Sequence, residues 1–264
     1  MIALIAGTGD LPGILARRLI ARGETPVICA LDGFAPEVPE GLERIDFRLE
    51  TLGTLLAALQ VRGVHRLCMA GLVRRPQIDP AAVDAATAPL FAALQEALPQ
   101  GDDSTLRRIT RLLEAQGFTI IGADTIAPDL LATEGIPTRA RPGKEIAAAL
   151  PLARATLADM GRADTGQACV LRSGKVIARE GPEGTDAMLA ALPPGQGGFL
   201  FKGPKPGQEL RVDMPAIGPE TATGAAHAGL EGIVAVAGGT LVIGRGELVR
   251  RLDEEGLFLW GVTP

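Results

Sequence analysis

Short apolar runs alternate with helical patterns through the first 123 residues, and that alternation limits the fold more than any other feature of the chain. IALIA (2–6) leads through a Gly turn into a helical pattern from Leu11 to Ala21, with Pro12 in the first turn, where a missing N–H does no harm. PVICAL (26–31) reads as a strand, TLGTLLAALQ (51–60) as a helix and VHRLCMAG (64–71) as a strand. DPAAVDAATAPLFAALQEAL (79–98) is expected to be helical throughout, a helix over 104–116 is expected behind an Asp102 or Asp103 cap, and FTIIGA (118–123) follows as a buried strand. Strands apolar on both faces, each followed by a helix, imply a parallel sheet covered on both sides. Ligands of such sheets bind beyond the carboxyl ends of the strands.

The pattern changes at TEGIPTRARPG, which has two prolines and no apolar period. We therefore expect an N-terminal domain over 1–132, a linker over 133–143 and a C-terminal α/β domain over 144–264. By length alone, 264 residues at ~150 per domain suit one large domain or two modest ones. The second half opens with a helix (144–160), followed by a hairpin of QACVL and KVIARE turning at Ser173-Gly174. A short helix after Gly184, a strand GFLFK (198–202) and a Gly/Pro-rich loop come next. A helix from Pro219, strands near 233–236 and 240–243, a helix over 245–255 and a last strand LFLWGV complete it.

Composition removes several functions. The net charge is −5, aromatics are 3% and there is no Tyr, so neither a phosphate-neutralising surface nor a base-stacking platform for nucleic acid is expected. Cys29, Cys68 and Cys169 are isolated in apolar stretches without C-x-x-C spacing and read as reduced core thiols. Two histidines, His65 and His227, cannot make a three-His zinc site. A metal here would be a hard cation on carboxylates, such as Mg²⁺. MIALIAGTGD lacks the basic region of a secretory signal, and GIVAVAGGTLVIG (232–244) is too short and Gly-broken to span a bilayer. The expectation is a cytoplasmic chain that touches a membrane surface only if its substrate is a lipid.

Three stretches carry candidate chemistry. A-G-T-G-D-L-P (6–12) joins the first strand to the first helix, where glycines admit a ligand to the backbone and a helix N-terminus favours phosphate. Asp32 ends the second strand, where a dinucleotide fold keeps its ribose-binding acid; Pro12 in place of the third Gly of G-x-G-x-x-G weakens that reading. Asp102 and Asp103 precede Arg107 and Arg108, and AGLVRRP (70–76) follows the third strand with Arg74 and Arg75 available to a diphosphate. In the second half GRADTGQ (161–167), EGPEGTDAM (180–188) and FKGPKPGQELRVDMP (201–215) concentrate polar groups. Lys202, Lys205 and Arg211 precede Asp213 on a Pro-stiffened loop, a carboxylate among cations that suits metal-assisted chemistry on a phosphate ester.

In order along the chain, AGxGxLP, AGxxxRP, GDDxxLR, GRxDxGQ, EGTDAM, KxxKPxQxxRxDxPxIGxxT, AGLxGI and GLFxxGV resemble the LpxI type of UDP-2,3-diacylglucosamine diphosphatase, an enzyme family of lipid A biosynthesis in some Gram-negative bacteria. The resemblance implies a Rossmann-like N-terminal domain, a mixed α/β C-terminal domain and a substrate cleft between them. It implies water attack on the α-phosphorus of UDP-2,3-diacylglucosamine with Mg²⁺ (or Mn²⁺), giving UMP and 2,3-diacylglucosamine 1-phosphate, lipid X. By the RxDxP motif it assigns the essential aspartate and metal ligand to Asp213. Lys202, Lys205 and Arg211 would grip the diphosphate or sugar phosphate, Thr185 and Asp186 would take sugar hydroxyls or amides, and Gln167, Glu183 and Gly184 would also bind substrate. The Gly loop with Gly7, Gly9, Asp10 and Leu11, the Leu72 backbone and Asp102 would hold the uridine end, with Arg75 facing the diphosphate and Asp103 also binding substrate. Peripheral contact with the inner membrane and a homodimer are compatible with it. Departures are Leu72 where the family commonly has Asn, and Val236 and Gly244 where it often has carboxylates. The rival readings are an NAD(P)-dependent oxidoreductase, resting on the Gly loop and Asp32, and a nucleotide-sugar binding protein without catalysis.

Overall fold

The computed structural model describes residues 1–73, 78–97, 103–193, 195 and 197–264, together with the backbone of Asp102. By its contacts the chain divides into two compact units, Met1–Pro128 with Arg211–Asp213, and Asp129–Leu210 with Met214–Pro264.

The first unit contains β1 (Ile2–Ala6), α1 (Asp10–Ala21), β2 (Val27–Leu31), β3 (Arg44–Phe47), α2 (Leu52–Val61), β4 (Arg66–Ala70), α3 (Ala88–Ala97), α4 (Asp102–Ala115), β5 (Thr119–Ile120) and α5 (Ala123–Ile126). Its five strands run in the order β3-β2-β1-β4-β5 and every described pairing is parallel. This is the Rossmann-like sheet expected, and its order reverses between β1 and β4. Ala3, Cys29, Leu67 and Ile120 pack against Leu52, Leu55, Leu56 and Leu59 of α2 and Leu112 and Leu113 of α4. On α1, Pro12, Leu15, Ala16 and Leu19 are the buried stripe, at helical spacing. Val212 joins the α2–α4 core from far along the chain, so a loop of the second half is part of this unit.

Two local expectations are corrected. Residues 79–98 do not form one helix: a 3₁₀ turn at Pro80–Ala82 is separated from α3 by a tied-down bend. There the Thr87 N–H donates to Asp84 Oδ1 at 2.7 Å, Thr54 Oγ1 donates to Asp84 at 2.6 Å, and Gly53 N–H donates to Thr87 Oγ1 at 2.8 Å. Side-chain acceptors thus compete with the helical ladder, as Asp and Thr do near helix starts. Gly53 lets that bend touch α2, since a Cβ would lie 2.2 Å from the Ala86 oxygen. The second correction is β3, a strand the apolar pattern does not mark because three of its four residues are exposed or half-buried at the sheet edge.

The second unit contains α6 (Lys144–Arg162), β6 (Ala168–Arg172), β7 (Lys175–Arg179), α7 (Gly184–Ala190), β8 (Phe199–Lys202), β9 (Ala216–Ile217), α8 (Pro219–His227), β10 (Gly232–Val236), β11 (Leu241–Val242), α9 (Arg245–Glu254) and β12 (Phe258–Val262). Its sheet, β12-β10-β8-β6-β7, is mixed: β8, β10 and β12 are parallel and β6 is antiparallel to both β8 and β7. The hairpin turns at Ser173 (φ 50°) and Gly174 (φ 71°), the double positive φ of a type I′ turn. Period-two burial divides the faces. Ala168, Val170, Leu200, Ile233 and Leu259 face α7, α8 and α9, while Cys169, Leu171, Phe199, Phe201, Val234 and Phe258 face α6. Residues 133–143 are tied along this unit: Gly135 bridges Gly261, Leu259 N–H donates to Thr138 Oγ1 at 2.9 Å, and Arg139 N–H donates to Asp253 at 2.7 Å. No described helix is long and apolar enough to cross a membrane.

Candidate functional site

The carboxyl ends of β1 and β4 flank the point where the first sheet changes direction, and the two loops leaving them are joined backbone to backbone. Gly7 N–H donates to Ala70 O at 2.8 Å, Thr8 N–H to Leu72 O at 3.0 Å, and Leu72 N–H to Thr8 O at 2.9 Å. Only glycine permits this approach. A Cβ on Gly7 would sit 2.4 Å from the Leu72 oxygen, and one on Gly71 would sit 2.7 Å from the Thr8 oxygen. Gly9 then takes φ 92° and ψ 178°, a region effectively closed to other residues, and a Cβ there would meet nothing within 4 Å. The Gly loop is therefore tight on its β4 side and open at Gly9, beside the α1 N-terminus with Asp10 exposed and Leu11 half-buried. Pro12 is buried in α1, and the close packing a third Gly would give comes from Gly13, whose Cβ would lie 2.4 Å from the Glu37 oxygen.

Leu72 is 64% exposed, so what this position contributes to the loop pair is its backbone. Arg74 and Arg75 lie outside the described residues. Helix α4 runs back toward β5, which puts its N-terminus at the carboxyl edge of the sheet. It begins at Asp102 rather than after it, and buried Asp103 accepts from Arg107 one turn on.

Asp213 belongs to the same unit. Arg211 passes Gly122, where a Cβ would lie 3.3 Å from its Cα, at the end of β5. The Arg211 guanidinium donates to Glu114 at 2.6 Å, and Val212 packs on the core, so the loop carrying half-buried Asp213 is held at the carboxyl end of β5. Arg211 thus has a carboxylate partner of its own.

The other two cations lie in the second unit, where both are buried. Lys202 closes β8 and donates to Thr185 Oγ1, with Glu180 Oε1 3.7 Å from its nitrogen. Thr185 donates to Glu180, whose second oxygen accepts the Gln167 N–H. Gly166 makes room for that carboxylate, since a Cβ would lie 2.5 Å from Glu180 Cγ. Glu183 stands at the N-cap position of α7 without a side-chain capping bond, Gly184 takes φ 86°, and Asp186 is exposed in the first turn. Lys205 Nζ is 3.0 Å from Asp164 Oδ1.

Asp164 ends α6 in a left-handed conformation, φ 48°, where glycine is usual. The Asp164 N–H donates to Gly161 O and the Thr165 N–H to Met160 O, the paired bonds of a Schellman ending. Sequence reasoning assigned no role to Glu180 or Asp164, though both lie inside the polar stretches it singled out. The signal was the two lysines, which need counter-charges once buried.

Other nucleophiles recede. Burial pushes the thiols of Cys29, Cys68 and Cys169 up to about 12, so they are protonated at neutral pH. His65 precedes β4 and His227 ends α8, both exposed. Among the described residues no three His, Cys, Asp or Glu side chains converge as a metal cage. Mg²⁺ is commonly held by one or two carboxylates with substrate phosphates completing its shell, and Asp213 offers a hard oxygen donor of that kind.

Comparison with known proteins agrees with the motifs. Residues 1–130 match the LpxI N-terminal domain and residues 133–260 the LpxI C-terminal domain. A protein of Caulobacter vibrioides described as UDP-2,3-diacylglucosamine pyrophosphatase LpxI is 37% identical over 273 residues, covering 100% of this chain and 98% of that protein. The chain belongs to the LpxI family.

Proposed function

We propose that this chain hydrolyses the diphosphate of UDP-2,3-diacylglucosamine to UMP and 2,3-diacylglucosamine 1-phosphate, with water attacking the α-phosphorus. The observation that carries the reading is the loop of Asp213, pinned by Val212 and by Arg211–Glu114 at the carboxyl end of a parallel sheet. A fixed carboxylate there can hold or orient a water for in-line attack. Mg²⁺ (or Mn²⁺), when bound at Asp213 and the diphosphate, neutralises charge that builds on phosphate oxygens. The Gly7–Asp10 loop suits the nucleoside end. Asp10 already puts a negative charge on the α1 N-terminus, which favours ribose hydroxyls there over phosphate. Lys202 and Lys205 supply the positive charge for phosphate oxygens, and exposed Asp186 the polar contact for the acylated sugar, since the Thr185 hydroxyl is engaged by Glu180 and Lys202. The reading goes with a cytoplasmic chain that meets its glycolipid at the inner-membrane surface.

The test is UMP release by the purified chain from UDP-2,3-diacylglucosamine, with Mg²⁺, with Mn²⁺ and with chelator. Turnover lost on chelation and restored by either ion is expected; turnover indifferent to chelator removes the metal. In ¹⁸O-water the label should enter UMP, and label in the lipid phosphate overturns α-attack. Substrate binding without UMP release would favour the non-catalytic binding protein, and the Gly loop with Pro12 gives the oxidoreductase no comparable support.

A further inference from the structure

The buried cluster at the carboxyl edge of the second sheet has one member whose bonds all point inward. Glu180 follows β7, pairs its N–H with Ala168 O at 2.9 Å, and is 8% exposed. Ala168 lies opposite Lys202 in the ladder, so Glu180, Ala168 and Lys202 stand in a row across three strands. Both carboxylate oxygens are engaged, Oε1 by the Thr185 hydroxyl and Oε2 by the Gln167 N–H. Thr185 has a single hydroxyl proton. Because it goes to Glu180, the oxygen's lone pairs face Lys202, which donates to them.

This relay fixes a buried ammonium without closing it off. An ammonium has three N–H groups. Thr185 takes one, while Glu180 stands 3.7 Å from the nitrogen, beyond hydrogen-bond length. At that distance the carboxylate balances the ammonium charge but takes none of its N–H groups. The interposed hydroxyl keeps Lys202 in register and leaves N–H groups for an outside anion.

We propose that Glu180 is a positioning residue for substrate phosphate: through Thr185 it holds Lys202 at the end of β8 with donors free for a phosphate oxygen. The proposal rests on the reading above in which Lys202 meets the substrate. Glu180 itself touches only protein groups.

Glu180→Gln is the sharp variant. It keeps the volume but has one acceptor oxygen where two are in use, so either the Thr185 hydroxyl or the Gln167 N–H faces an NH₂ group. Losing a hydrogen bond to a charged group predicts a fall in kcat/KM on the order of tenfold to a hundredfold, mainly through KM. Thr185→Val, which cuts the relay at constant size, should match it, and Thr185→Ser, which keeps the hydroxyl, should recover most of the activity. In a Lys202→Met background, Glu180→Gln should cost nothing further, because the effect passes through Lys202. A merely structural role would give losses that add. Wild-type kinetics in Glu180→Gln, additive losses with Lys202→Met, or equal damage from Thr185→Ser and Thr185→Val would each overturn the proposal. A wild-type chain that releases no UMP would instead remove the hydrolase reading and this proposal with it, a result distinct from an active wild type that Glu180→Gln equals.

Discussion

Both sheets keep their polar equipment at the carboxyl ends of parallel strands, yet they build it from different material. In the first unit the edge is largely backbone: two loops joined through Gly7 and Gly71 and an open Gly9, with the carboxylate of Asp213 brought in by a loop from far along the chain. In the second unit it is buried side chains, two lysines each with a carboxylate on a neighbouring element. Backbone sites are rigid because their atoms have no rotamers, and they read shape. Buried charges act strongly because little water screens them, and they must be paired to exist at all. A sheet with all-parallel strands brings loop ends together directly. The mixed sheet uses its antiparallel hairpin to bring Glu180 and Gln167 back to the edge where Lys202 ends β8.

That contrast predicts where activity and stability separate. The largest effect is expected from Asp213→Ala, which should lower kcat by ~10²–10³-fold or more while leaving the melting temperature near that of the wild type. A folded Asp213→Ala protein with near-normal turnover would remove Asp213 from the chemistry. Gly7→Ala should do the reverse and act first on stability: a Cβ 2.4 Å from the Leu72 oxygen forces the loops apart, at a cost of about 1–3 kcal/mol in urea unfolding. A neutral result would mean the loop pair is not rigid.

In the second unit Lys205→Met should cost about 1–2 kcal/mol, less than a fully buried pair, because Asp164 is 24% exposed and water reaches it once Lys205 is gone. An increase in stability would mean the pair is held at a net cost. The smallest effect concerns Glu50 in the first unit. The Arg48 guanidinium, with the Asp79 N–H, holds its carboxyl at about 2 against an ordinary 4.5. A carboxyl lowered on folding stabilises above its unfolded value and loses that contribution as pH falls toward its folded value. Wild-type stability should therefore drop between pH 4.5 and about 2 more steeply than that of Glu50→Gln. Parallel acid titrations of the two would refute this.

What the sequence alone determined is the layering. Apolar runs such as IALIA and VICAL, helical spacing in α1 and the Ser173-Gly174 turn are local patterns, and burial on one side or both follows from period and composition. The motif order pointed to the family, and within it to Asp213. Tertiary structure decided which charges meet. The Arg211 guanidinium bonds Glu114, 97 residues away. Lys202 bonds Thr185 at a separation of 17, and Lys205 meets Asp164 at 41. It also broke the expected helix over 79–98, because Thr54 and Gly53 on α2 claim Asp84 and Thr87. A hydrophobic period is a property of neighbours in the chain, whereas an ion pair or a clash with Gly7 depends on which loops the fold brings together. That is why strands and helices could be read from the sequence and the roles of Glu180 and Asp164 could not.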